Sequence, residues 1–340
     1  MTEQTLPYAG PRSNHWTRRF VPGRQYVPLI MTALVFLAMY ATCAFRYTGF
    51  FTPRVFEELF SENAVVGVVA IGMTFVILSG GIDLSVGSVI GLTTILVAVL
   101  VRQYHWHPAA AISVALALGT LLGLAMGCLI HFFQLAPFLV TLGGMFFARG
   151  VALLISEESV GLSHPLVVKL TMLKLQTGFA PIKLPTFVFL GVAAIGAMVA
   201  AFTRFGRNVY AIGGNEQSAV LMGLPVARTK ISIYALSGFC SALAGVLFVL
   251  KTSSGNAAEG AVRELDAIAA VVIGGTLLTG GVGFVWGTVL GVLILGLIDA
   301  GITFEGTLNS WWTKIVIGFL LLVFISLQRL LVGASMRRSA

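Results

Sequence analysis

The chain has 340 residues, 57% hydrophobic and only 10% charged, with a formal net charge of +8. A soluble domain carries about 25% charged residues, so this composition excludes a water-solvated globule and places the chain in lipid. The basic excess is then read as topology, with Lys and Arg gathering on cytoplasmic loops, and not as a footprint for nucleic acid.

Residues 1–25 form a polar arm carrying Arg12, Arg18, Arg19 and Arg24. An apolar run over 26–45 follows. It is long enough to span a bilayer core of roughly 30 Å, and too long for a secretory signal. Further apolar runs fall at 62–79, 84–101, 109–131, 137–155, 185–203, 230–250, 264–280, 282–301 and 312–332. In lipid every backbone polar group must be satisfied internally, which leaves helices. The expected fold is all-α and polytopic, with about ten transmembrane helices in one membrane domain over 26–332. A short cytoplasmic tail, 333–340, follows. Ten crossings put both termini on the same side, and the arginines of the arm place that side in the cytoplasm.

Taken along the chain, the second apolar run ends in LSGGIDLSVGS (78–88), a glycine pair and an aspartate inside a membrane pattern. Gly80 and Gly81 break the helix there. Asp83 is expected to cap a helix starting at Leu84, accepting from the N–H of Ser85 or Val86. The break itself, with Ser85, is a candidate functional junction. Gly119, Gly123 and Gly127, and again Ser237, Ser241 and Gly245, recur every four residues, a pattern that lets helix backbones approach closely. Arg149 lies inside the fifth run, where it either snorkels or pairs with Glu157 or Glu158.

The longest loop expected inside, 204–229, carries a peg. Asn215 is a good N-cap, Glu216 suits a helix N-terminus, Gly223 fits the position past the helix end, and Pro225 stops it. Val220, Leu221 and Met222 are apolar on a loop that should face water. Gly213 and Gly214 let the chain turn into the peg. From the residues alone, a surface helix and a protein-docking peg are equally supported.

Later in the chain, LTGGVGFVWGT (278–288) echoes LSGGIDLSVGS 200 residues on, with Gly280 and Gly281 matching Gly80 and Gly81. An internal repeat is expected, with Gly283 where the first copy has Asp83. Glu264 and Asp266 open the eighth run, as caps or as contacts for an external partner together with loop 251–263. Lys314 is expected to snorkel. His105, His107, His131 and His164 show no metal-ligand spacing, and Cys43, Cys128 and Cys240 show no paired spacing. No G-x-x-x-x-G-K-[ST] pattern occurs, so any ATP would be hydrolysed on another chain.

Three stretches carry a resemblance: GMTFVILSGGIDLSVGS (72–88), RFGRNVYAIGGNEQSAVLMGLPV (204–226) and ELDAIAAVVIGGTLLTGGVG (264–283). Together they resemble the ribose-type permease subunits of bacterial ATP-binding-cassette sugar importers. Within that family VLMG (220–223), VARTKISIY (226–234) and NSWWTKI (309–315) look most like a galactofuranose importer's permease. The resemblance implies a multi-pass inner-membrane subunit that imports a sugar and is not itself an enzyme. It binds no cofactor of its own, ATP and Mg being held by partner ATPase subunits. It also implies a second permease and a periplasmic sugar-binding protein. The peg, with Gly213, Gly214, Asn215, Glu216, Val220, Met222 and Gly223, then matches the coupling helix that seats on the ATPase. The competing reading is a secondary transporter driven by an ion gradient, which would need intramembrane carboxylates. Only Asp83 and Asp299 lie far from loop ends. An intramembrane enzyme has no nucleophile–base pair to support it.

Overall fold

The computed structural model describes residues 27–176, 181–306 and 311–336, with 327–336 as helix only. The arm 1–25 and the last residues of the tail lie outside the described residues. The described chain is almost wholly helical: α1 (Val27–Arg46), α2 (Pro53–Glu62), α3 (Ala64–Leu78), α4 (Val86–Arg102), α5 (Pro108–Phe132), α6 (Pro137–Ile155), α7 (Pro165–Thr171), α8 (Leu184–Phe202), α9 (Arg204–Gly214), α10 (Glu216–Leu221), α11 (Val226–Thr252), α12 (Arg263–Ile273), α13 (Val285–Glu305) and α14 (Trp311–Met336). Among the described residues, short strands β1 (Val160–Gly161), β2 (Lys174–Gln176), β3 (Pro181–Lys183) and β4 (Ser254–Gly255) pair antiparallel, β1 with β4 and β2 with β3.

The ten apolar runs all carry helix, yet they are not ten equal spans. Six described helices are long and apolar enough to cross a membrane: α1, α5, α6, α8, α11 and α13. Helices α2 and α3, bent 56° at Asn63, make a seventh together, while α4 and the described part of α14 are apolar but shorter. The run 264–280 departs furthest from expectation. Its helix stops at Ile273, where Gly275 turns left-handed at φ 90° and the glycine backbones lie against Gly287 and Pro28.

Helix α3 is buried at every residue. An α-helix apolar all round belongs inside a bundle, and α3 packs on α8, α11, α12 and α13. The glycine stripe of α5 meets α11: Gly119 lies against Gly238 and Ala242, Gly123 against Tyr234, and Gly127 against Ile231. The stripe Ser237–Ser241–Gly245 turns the other way, Gly245 onto Thr93 of α4 and Ser237 toward α3 and the break after it. In lipid, apolar side chains gain little by leaving the solvent. Backbones this close let dispersion between the helices hold them together instead.

At the ends away from the glycine breaks, the charged residues pair across helices. Arg46 meets Glu305 at 3.0 Å, Lys251 meets Glu62 at 2.5 Å, and Lys183 lies between Glu57 and Glu58. Elsewhere, Lys314, expected to reach toward the interface, bonds Asp266 of α12 at 2.7 Å. The three cysteines are free thiols.

Candidate functional site

Three glycine pairs from distant parts of the sequence converge on one point. Leu78 ends α3, and its carbonyl accepts from Gly281 N at 2.9 Å. A side chain at Gly213 would collide with that same carbonyl and come within 2.5 Å of Gly281 N. One at Gly280 would lie 2.9 Å from Gly80 N, and one at Gly281 2.9 Å from Gly214 N. Gly80 and Gly280 both adopt left-handed backbone, at φ 82° and 85°, where a Cβ is strained. The two echoing stretches thus form matching breaks that touch each other, and the segment before the peg is wedged against both.

This revises the reason for Gly213 and Gly214. They are the last residues of α9, not a turn into the peg. Their small size serves contact with the two breaks. Sequence spacing could not show this, because the partners lie far away along the chain.

The peg itself forms as expected. Asn215 caps α10, its Oδ1 accepting from Ser218 N at 2.8 Å, and Gly223 takes a left-handed φ of 74° after the helix. Glu216 pairs with Lys230 of α11 at 2.6 Å, which fixes the peg to the helix that follows it. Val220, Leu221 and Met222 are exposed, Leu221 at 88%. On the adjoining α9 the buried face is Gly206, Val209 and Ile212. Tyr210 sends its hydroxyl to Gly283 O at 2.8 Å, in the second break. Burial raises that phenol above its ordinary pKa, so it remains a donor.

Asp83 is fully buried but two residues short of the expected cap position. Helix α4 begins at Val86, not Leu84, with Ser85 in the cap position. Asp83 Oδ1 accepts from Ser85 N at 2.9 Å and Ser85 Oγ at 2.6 Å, and Oδ2 accepts from Ser237 Oγ at 2.7 Å. The carboxylate therefore ties the break to α11. Its partners are hydroxyls and an amide, with no cation among the described residues.

Arg149 pairs with neither Glu157 nor Glu158. Its Nη1 donates to the carbonyls of Ala257 and, at 3.0 Å, Glu259. The loop expected to point outward, 251–263, instead folds into the molecule along α4. Gly255 lies on Thr94 and Ala98, Ala257 and Glu259 on Gly91, and Gly260 on Gly87. Thr94 Oγ1 donates to Asn256 O and accepts from Asn256 N. Arg149 and Thr94 thus satisfy carbonyls of non-helical chain at membrane depth, where an orphaned group costs several kcal/mol. Glu264 goes with this segment, its carboxylate against Gly87. Asp266 pairs with Lys314. Both acids lie in the first turn of α12, where the capping reading placed them.

The histidines act locally. His107 and His164 each accept a backbone N–H through Nδ1, from Ala109 and Leu166. They share a cavity of about 540 Å³ with Arg102, His105, Trp106 and Ser163.

A family model described as "Branched-chain amino acid transport system / permease component" matches residues 56–325. The chain is 48% identical over 307 residues to the inner membrane ABC transporter permease protein YjfF of Escherichia coli (strain K12), covering 90% of this chain and 93% of the relative. It is 39% identical to the ribose import permease protein RbsC of Bacillus subtilis (strain 168), over 83% of this chain and 86% of that one. It is 36% identical to the fructose import permease protein FruG of Bifidobacterium longum (strain NCC 2705), over 90% and 92%. No solved structure matches.

Proposed function

Since the chain belongs to the ribose-type permeases of ATP-binding-cassette sugar importers, we propose that it carries a monosaccharide, galactofuranose or a close relative, into the cytoplasm on energy from ATP hydrolysed by a separate subunit. Membership makes it a multi-pass inner-membrane permease with ATPase and substrate-binding partners of the general kind that family uses. A second permease, identical or related, completes the pathway.

One observation carries the coupling part of this reading. The exposed apolar peg at Val220–Met222 stands on a helix whose end is wedged between the two left-handed glycine breaks of the echoing stretches. A partner that seats on the peg and changes shape with ATP moves α9. Helix α9 cannot move without changing its contacts with the Gly80–Gly81 and Gly280–Gly281 breaks. ATP can bias the pore only through the difference in its affinity for the two facings. The peg is where that difference is delivered.

The test is reconstitution of the chain in vesicles with and without its ATPase, second permease and binding protein. Uptake of radiolabelled galactose, whose solution contains the furanose form, is followed beside ribose. Uptake is expected only with the ATPase and ATP. Uptake by the chain alone on a pH or Na⁺ gradient would establish the secondary-transporter reading instead. Met222→Cys is expected to crosslink to the ATPase subunit.

A further inference from the structure

The crossing that contains α12 is part helix and part non-helical chain, a two-residue strand followed by turns up to Val262. From Ser253 the backbone descends antiparallel along α4, past Ala98, Thr94, Gly91 and Gly87 in turn, before α12 begins at Arg263. Gly87 lies about 22 Å along the helix from Arg102 at the far end of α4. Arg263 lies about 15 Å from Ile273 at the other end of α12. The turns before α12 therefore lie deep within a core of roughly 30 Å.

One side of these turns is covered by α4 and Arg149. The other is open: Ala258, Ala261, Val262 and Leu265 are exposed, and Glu259, Arg263 and Glu264 are half-buried. None of those three charged side chains makes an ion pair or a side-chain hydrogen bond with any described residue. The charges of Glu259 and Glu264 are felt only at longer range by Arg149. By contrast Arg46, Lys183, Lys230, Lys251 and Lys314 are all paired. Irregular backbone at membrane depth is tolerated only in protein or against water, and unpaired charges there demand water. A lipid-facing position would cost several kcal/mol for each charge.

We infer that residues 258–265 wall the aqueous translocation path near mid-membrane, and that Glu264 and Arg263 contact the hydroxyls of the passing sugar. This rests on the transport reading above. A carboxylate accepts from, and a guanidinium donates to, a sugar's hydroxyls, so the pair serves a neutral polyol without requiring a charge on it. Helix α12 runs from this wall to the glycine junction, so the peg's movement reaches the contact residues through one rigid element.

The experiment uses the assembled transporter, with Cys43, Cys128 and Cys240 replaced by serine. Its ATP-dependent galactose and ribose uptake is measured first. If that uptake needs no ATPase, the transport reading fails, whatever the wall does. Ala261→Cys is then exposed to a membrane-impermeant sulfonate-bearing thiol reagent. Ser163→Cys at the histidine cavity and Leu154→Cys on the exposed face of α6 serve as bounds. The expected result is reaction at Ala261→Cys within about tenfold of Ser163→Cys, slowed by the transported sugar. Glu264→Gln is expected to raise the KM for uptake about tenfold, the worth of one hydrogen bond to a charged group. A rate no faster than Leu154→Cys would overturn the assignment. So would a disulfide joining Ala261→Cys to the second permease in place of reagent labelling, or an unchanged KM in Glu264→Gln.

Discussion

The stretches 78–88 and 278–288 begin alike and are anchored differently. Each turns on a left-handed glycine, Gly80 or Gly280, and each closes a short backbone hydrogen bond, Gly80 N to Ile77 O at 2.9 Å and Gly280 N to Leu277 O at 3.0 Å. The first then sends Asp83 to Ser85 and across to Ser237 of α11. The second has Gly283 at the matching position. The space a side chain would take is filled by Thr276, and the Gly283 carbonyl is held by Tyr210 of α9. One break is thus fixed to a long membrane helix and the other to the helix that bears the peg. Under the proposed function the first is the stationary jaw and the second the moving one.

The largest effect is expected where the two breaks and α9 share a contact. Gly213→Ala drives a methyl into the Leu78 carbonyl, which only backbone displacement can relieve. A loss of about 3 kcal/mol is expected. It should appear as a lowered Tm in detergent and as uptake below detection in vesicles.

The stationary jaw comes next. Asp83→Leu leaves the Ser85 amide and two hydroxyls without their acceptor and should cost about 3 kcal/mol. Asp83→Asn keeps an acceptor oxygen and should cost about 1 kcal/mol. Thermal melting of the two proteins side by side reads the difference. Equal, complete loss of uptake with unequal Tm would show that the charge, and not the anchoring, matters. The converse substitution, Gly283→Asp, should fold poorly because it collides with Thr276.

The moving jaw gives a smaller effect of another kind. Tyr210→Phe removes one neutral hydrogen bond, worth about 1 kcal/mol. The number of sugars moved per ATP hydrolysed should fall, while Asp83→Asn leaves that ratio unaltered. Because burial holds the phenol protonated, uptake should show no inflection from this group as pH rises past neutrality.

The smallest effects lie beside the jaws. Glu216→Gln breaks a partly exposed ion pair with Lys230 and should cost about 0.5 kcal/mol. Thr276→Val should leave Tm unchanged or slightly raised. The Thr276 hydroxyl is buried with no partner among the described residues, so an isosteric methyl loses nothing.

Much of this molecule was written in local order. Apolar runs located the helices, since lipid admits few other backbone solutions, and α5, α6 and α13 lie within a few residues of their expected bounds. The peg was legible because capping acts over three or four residues, and Asn215, Glu216 and Gly223 are close neighbours. Tertiary structure alone decided what the glycines and charges touch. Gly213 meets Leu78 and Gly281, Asp83 meets Ser237, and Arg149 meets Ala257, each across a gap in the chain that no periodicity spans. The non-helical turns before α12 were hidden for the same reason. Chain without helical hydrogen bonds can enter a membrane only if some other part of the protein supplies them, and which part does so is set by packing.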